Sequence, residues 1–242
     1  MQEEESAVAV SGAQLSPVPA GALDLALRTL RTSMRLAWFK ALGTTLFMTV
    51  FFRAYFFLLK HPAGPVAVMP LTALDRWIGF QPWALPIYFS LWVYVSLPVA
   101  LMSSPREIAA YGVRIGALCL LGLGAFYLWP TQVPPVTEDW ARYPGFSLLR
   151  GIDAAGNACP SLHAASAVFT ALWLNWMAPA LGWGARLKRL NGLWCMAIVY
   201  STLATKQHVF VDAAAGALLG AVVAWVSAPR AYRRRADAEA RT

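Results

Sequence analysis

The chain has 242 residues, 58% of them hydrophobic, with a mean hydropathy of +0.51 and a formal net charge of +8. That apolar fraction exceeds what a soluble domain of this length can bury, so composition points to an integral membrane protein and excludes an ordinary soluble enzyme. Much of the positive charge sits in flanks such as RAYRRR at 230–235, a distribution that suits membrane orientation rather than nucleic-acid binding.

Residues 1–21, MQEEESAVAVSGAQLSPVPAG, begin with three glutamates where a cleaved leader would carry positive charge, and are expected to form a disordered tail. Over 22–40, Leu23, Leu27, Leu30 and Met34 recur at helical spacing with Arg28, Arg31 and Arg35 on a neighbouring face. This fits an amphipathic helix lying on an anionic leaflet; a basic flank of the first span accounts for the same residues and implies the same sidedness.

A bilayer core of about 30 Å needs roughly 20 mostly apolar residues per helix. Six segments of about that length follow, at 41–59, 82–102, 109–129, 160–178, 191–206 and 208–227. The fifth is short and only Gln207 separates it from the sixth, so these two must meet in a tight turn. The runs are rich in Leu and Ala and lack the alternation of a barrel strand, which favours an all-α transmembrane bundle. The expected organisation is a six-span domain over 41–228 followed by a basic tail at 229–242.

Both termini of a six-span chain share one side. The N-terminal segment, the loops 103–108 and 179–190 and the C-terminal tail carry 13 Lys and Arg residues, against five in the opposite set of loops. The first set, with both termini, is therefore expected in the cytoplasm. Arg53 and Arg114 lie inside spans but close enough to an end to snorkel. Cys119 and Cys195 lie within spans and Cys159 in a loop, without CxxC spacing, so neither a disulfide framework nor a zinc site is implied. There is no repeat of 20–50 residues and no nucleotide-binding loop.

This orientation puts the candidates for chemistry on the outer face. Of the three histidines, His163 and His208 fall within a turn of the outer ends of spans four and six. Asp212 is the one acidic residue well inside a span; a carboxylate there costs a few kcal/mol unless partnered, and His208, four residues earlier, shares its helix face. A carboxylate that accepts from one imidazole nitrogen fixes the tautomer and leaves the other nitrogen free as nucleophile or base. Around these lie Ser161, Ser201, Thr202, Lys206 and Gln207, donors that suit a phosphate. Each also has a plainer use: Pro160 and Ser161 start a helix, Ser201 and Thr202 bond back to their own helix, and Lys206 anchors the interface. What favours chemistry is the convergence of costly groups from separate helices at one depth.

PSLH at 160–163 and STLATKQHVFVD at 201–212 resemble the second and third signature motifs of the type 2 phosphatidic acid phosphatase superfamily: Pro-Ser-Gly-His, then Ser-Arg, five residues, His, three residues, Asp. Leu162 in place of glycine, and the wording ST…KQH…D, look more like the branch that contains the inositol phosphorylceramide synthases, which WPTQVPP at 129–135 also resembles. The resemblance implies a metal-independent phosphoryl transfer, with no cofactor, in which His208 attacks phosphorus, Asp212 orients His208 and His163 protonates the departing oxygen. Water or another alcohol then resolves the phosphohistidine, with His163 as base. The first family motif, a lysine, six residues and Arg-Pro, has no counterpart here, and Thr202 replaces the arginine of the third. Lys206 is the first substitute for that charge, with Arg142 and Arg150 in the outer loop as weaker ones.

The expectation is a membrane lipid-phosphate phosphatase working at the outer leaflet, with phospholipid headgroup transfer as the alternative because the two share a first half-reaction. Three rivals predict other behaviour. A redox carrier would use His163, His208 and Asp212 as metal or haem ligands, and an intramembrane serine protease would pair Ser161 with His208 although no Gly-x-Ser-Gly is present. A transporter would show inverted repeats or interrupted spans, which the chain lacks.

Overall fold

The computed structural model describes residues 20–135, 142, 143, 145, 146 and 156–229. The tails expected at 1–21 and 229–242 lie outside this range apart from their innermost residues, as does Arg150. Among the described residues the chain is mostly helical: α1 (Ala20–Met34), α2 (Ala37–Lys60), a short α3 (Ala73–Trp77), α4 (Leu85–Leu101) entered through a 3-10 turn at Pro82–Ala84, α5 (Pro105–Leu128), α6 (Leu162–Met177), α7 (Ala185–Ala204) and α8 (Phe210–Ser227).

Four of these, Ala37–Lys60, Pro82–Leu101, Pro105–Leu128 and Phe210–Ser227, are long and apolar enough to cross a membrane. The segments expected as spans four and five are also helices, but of another kind. Helix α6 has 16 residues, about 24 Å of rise against a core of about 30 Å. Helix α7 opens with Arg186, Lys188 and Arg189, which lower its apolarity.

The amphipathic segment expected over 22–40 is divided. Leu36, in the left-handed region at φ 59°, ends α1, and Ala37 to Lys40 already belong to α2. Leu27, Leu30 and Met34 of α1 are exposed. Lys40 folds back from α2 and donates Nζ to the carbonyls of Thr32 (2.9 Å), Ser33 (3.4 Å) and Ala100 (2.7 Å). These belong to the last turns of α1 and α4, where carbonyls have no helical partner.

Helix α6 is the centre of the bundle. It packs on α4, α5, α7 and α8 and buries Ala164, Ala165, Ala167, Phe169, Thr170, Trp173 and Leu174. Its closest neighbour is α8. A Cβ at Gly216 would lie 2.1 Å from the Ser161 carbonyl oxygen, and one at Gly220 2.2 Å from that of Ala165. Only hydrogens at these two positions let the backbones touch, the close approach that small residues four apart permit between helices in a bilayer.

Two local devices fix where the N-terminal ends of α6 and α8 lie. The first is a parallel pair of two-residue strands, β1 (Ala67–Val68) and β2 (Thr131–Gln132). From β2, the Thr131 hydroxyl accepts from Cys159 N (2.8 Å) and the Thr131 carbonyl from Ala158 N (3.3 Å), which steers the chain into α6. WPTQVPP thus supplies the backbone support of NACPSLH.

The second is a clasp between α3 and the turn before α8. Asp75 closes a capping box on Thr72, its Oδ2 accepting from Thr72 N (2.8 Å) and Oγ1 (2.7 Å). Its other oxygen, Oδ1, accepts from Phe210 N (2.7 Å), the first residue of α8. In return Lys206, in the left-handed region at φ 58°, donates Nζ to the carbonyls of Asp75 (2.9 Å) and Ile78. The turn expected at Gln207 alone runs from Thr205 to Val209, with Gln207 N and His208 N both donating to Thr202 O.

Two outcomes are expected. Gly216→Ala forces α6 and α8 apart at the Ser161 carbonyl and should cost about 1–3 kcal/mol of stability, whereas Gly112→Ala, whose Cβ would meet nothing within 4 Å, should not destabilise; thermal denaturation in detergent compares them. Lys206→Met removes charged donors from two carbonyls and should cost about 1.5–3 kcal/mol, read in the same assay. A raised KM without lost stability would instead mark Lys206 as a phosphate ligand.

Candidate active site

Three elements deliver the reactive side chains to one point. Ser161 is the N-cap of α6, its hydroxyl accepting from Ala164 N at 3.2 Å, which makes His163 the second residue of the helix. His208 sits in the turn two residues ahead of α8, rather than on its first turn as the sequence suggested, and Asp212 is the third residue of α8. Tyr88 and Trp92, one turn apart on α4, face the same point from the other side.

His208 Nδ1 lies 2.8 Å from Asp212 Oδ2, and His208 Nε2 lies 3.3 Å from His163 Nδ1. The remaining nitrogen of His163, Nε2, is 2.8 Å from the Tyr88 hydroxyl. Asp212 is fully buried and His208 nearly so. The carboxylate is held by the His208 N–H, by Ala213 N (3.1 Å) and by its place in the first turn of α8, where the helix dipole favours negative charge. Ser161 N donates to the backbone oxygen of Asp212 (2.9 Å), tying the start of α6 to the same residue.

Asp212 only accepts, so His208 Nδ1 carries a proton and the neutral ring leaves a lone pair on Nε2. Such a lone pair is the kind of group that serves as nucleophile or base. Cys159, close by, offers no rival: burial, and then the Asp212 charge, push its thiol up to about 11, so it stays protonated at neutral pH. Among the described residues no group of three or more His, Cys, Asp or Glu is arranged to hold a metal.

A cavity of about 350 Å³ runs from the two histidines between α2, α4 and α5. Phe47, Phe51, Leu91, Trp92, Ile115 and Leu118 line its length, His163, His208, Ser166 and Asn157 one end, and Lys40 the other. The two histidines therefore line an apolar cavity between α2, α4 and α5.

The structure brings His163, His208 and Asp212 together and sends the expected phosphate ligands elsewhere. Ser161 caps its helix. Ser201 donates to Ile198 O (2.6 Å) and Thr202 to Val199 O (2.7 Å), both fully buried. Gln207 donates to Thr205 O (3.4 Å), and Lys206 holds α3. Arg142 is exposed in the loop before α6. None of these lines the cavity.

Three residues of the site were not singled out from the sequence. Tyr88 had a signal, since a tyrosine inside an apolar span needs a partner for its hydroxyl. Asp75 had one too, the Thr-x-x-Asp spacing of a capping box. Asn157, at φ 53°, donates to Tyr55 O (3.1 Å) and lines the cavity, and nothing in the sequence marks it.

Comparison with curated proteins and with solved structures finds no match. The stretch that carries His163, His208 and Asp212, residues 125–236, matches the family model described as the PAP2 superfamily, and it is a PAP2 superfamily domain.

Proposed function

We propose that the chain is an integral membrane phosphatase of lipid phosphate esters that works through a phosphohistidine on His208. The observation that carries this reading is the line Asp212, His208, His163, with both histidines lining an apolar cavity. The superfamily match supports phosphatase or phosphotransferase chemistry on phosphate esters.

In the first half-reaction His208 Nε2 forms a bond to phosphorus, the bond from phosphorus to the ester oxygen breaks, and that oxygen takes a proton from His163 Nδ1. In the second, a water oxygen attacks phosphorus, its proton passes to His163 Nδ1, and the N–P bond breaks. Asp212 holds the His208 Nδ1 proton throughout and stabilises the positive charge that His208 develops. Reacting atoms about 3–3.5 Å apart, the P–O bond itself and a hydrogen bond of about 2.8 Å put the two nitrogens roughly 7 Å apart in a productive complex. The 3.3 Å contact is thus a resting state that the phosphoryl group opens.

The cavity favours a lipid, because a channel lined by Phe, Leu, Ile and Trp is fitted to a hydrocarbon chain. The membrane arrangement we infer has six spans, both termini in the cytoplasm and the histidines at the outer face. It rests on the 13 against five distribution of Lys and Arg and on the burial of α6 inside the bundle, where a short helix meets protein rather than lipid. Leu162 and the KQH wording favour the inositol phosphorylceramide synthase-like branch.

Purified protein incubated with dioleoyl phosphatidate in EDTA should release phosphate, and His208→Ala should lower that rate by about a thousandfold or more. Loss of activity in EDTA, or full activity in His208→Ala, would overturn the mechanism; a new phospholipid in place of free phosphate would mark headgroup transfer. Gly112→Phe fills the cavity from α5, where nothing lies within 4 Å. At about 0.8 kcal/mol per methylene displaced, it should raise KM for dioleoyl phosphatidate roughly tenfold or more and leave dihexanoyl phosphatidate nearly unchanged.

A further inference from the structure

Resting on the reading of the site as a phosphoryl-transfer centre, we propose that the side-chain amide of Asn157 donates to a non-bridging phosphoryl oxygen, and does so most strongly in the transition state. Asn157 is buried and lines the cavity together with His163 and His208. Its side chain reaches α2, where Nδ2 donates to Tyr55 O at 3.1 Å. About one turn earlier on α2, Phe52 meets Trp92 at a centroid distance of 5.4 Å, and Trp92 meets His163 at 6.2 Å. These contacts hold Asn157 at the histidine end of the cavity, on its α2 side. His163 comes from α6 and His208 from the turn before α8, so the amide approaches from a third direction. In a displacement along the line between two imidazoles, the side is where the equatorial oxygens and their charge lie.

A carbonyl only accepts, so the contact with Tyr55 O identifies the amide nitrogen and leaves Oδ1 on the far side. Nδ2 carries two N–H groups, and one is spent on Tyr55. Among the described residues neither the second N–H nor Oδ1 has a further partner. A buried amide with capacity left over, beside two imidazoles, is matched to a ligand rich in acceptors.

Asn157 also has a plainer use, since its φ of 53° falls in the left-handed region that asparagine tolerates. Backbone alone does not call for the amide, because glycine adopts that region more readily. Nor does the segment need Tyr55 to hold its course. Gly156 bridges to Gln132 and Ala158 N donates to Thr131 O, so the chain is tied to β2 on both sides of Asn157. What the bond to Tyr55 fixes is the amide itself, and a donor fixed before the substrate arrives costs no reorganisation during the reaction.

The test compares wild type, Asn157→Gly and Asn157→Asp on dihexanoyl phosphatidate, with inorganic phosphate and orthovanadate as inhibitors. Glycine and aspartate both accept the left-handed backbone, and neither carries the N–H donors. Vanadate takes up the five-coordinate geometry of the transition state, whereas phosphate stays tetrahedral. Asn157→Gly should lower kcat by about 100- to 1000-fold, the loss that follows removal of one such donor. Its inhibition constant should rise at least about 30-fold for vanadate and less than about fivefold for phosphate, because the donor favours the transition state over the ground state. Asn157→Asp should lose at least as much, since its charge repels the phosphoryl oxygens.

A kcat within about threefold of wild type overturns the proposal. So does an equal weakening of vanadate and phosphate, which would mark the amide as a brace between α2 and NACPSLH. Where Asn157→Gly melts early, the ratio of the two inhibition constants still decides, because both are measured on the same folded fraction. Wild-type protein that releases no phosphate from dihexanoyl phosphatidate overturns the reading of the site itself, and this proposal with it.

Discussion

The structure depends on one buried charge. Asp212 has no exposed surface and lies at the start of a helix that crosses the bundle. An isolated carboxylate there would cost several kcal/mol, so its surroundings are obliged to supply donors and positive potential. The first turn of α8 supplies the dipole, Ala213 an N–H, and His208 the Nδ1 proton. The bond that makes the carboxylate tolerable is also the bond that leaves a lone pair on His208 Nε2. Stability and reactivity are read from one contact.

That contact is local, four residues apart, and by itself arms nothing. His163 comes from α6, and its distance from His208 is set by the approach of α6 to α8 at Gly216 and Gly220. The turn carrying His208 is held by the exchange between Asp75 and Phe210 on one side and Lys206 and the α3 carbonyls on the other. The entry to α6 hangs on Thr131 through Cys159 and Ala158. Each partner is distant in sequence, so the relay exists only once the bundle has closed.

This separation explains what the sequence disclosed. Helical segments at all six expected positions follow from apolar composition, and the His208 and Asp212 pair from i,i+4 spacing, because both are local properties. The break at Leu36 is not announced by the sequence, because residues 31–40 contain neither the glycine nor the proline that marks a helix end. Ser201 and Thr202 look like phosphate donors in isolation, but a hydroxyl in a buried helix finds a carbonyl three or four residues back before it finds a ligand. Lys206 is the sharpest case. Its charge and its place two residues before His208 suggest phosphate, yet its partners belong to α3, a helix of five residues within a loop where no apolar period announces it. Asp75 could be read as a cap of its own helix; that its second oxygen caps α8 is a fact of tertiary structure alone.

The committed donors have a mechanistic consequence. With Ser161, Ser201, Thr202, Gln207 and Lys206 bonded to backbone, the polar side chains that line the cavity around the histidines include the two imidazoles, Asn157 and Ser166. The imidazoles touch each other at 3.3 Å. His208 cannot retreat, being fixed by Asp212 below it and by Thr202 O on its backbone N–H. The backbone of α6 is equally fixed, through the Ser161 cap, the bond from Ser161 N to Asp212 O and the glycine contact. Opening therefore falls to the His163 side chain, whose ring lies against Tyr88 and Trp92. On the proposed function, a phosphate ester entering along the cavity would separate the two rings by turning the one that is held by aromatic faces and a hydroxyl, and would leave in place the one that is held by a charge.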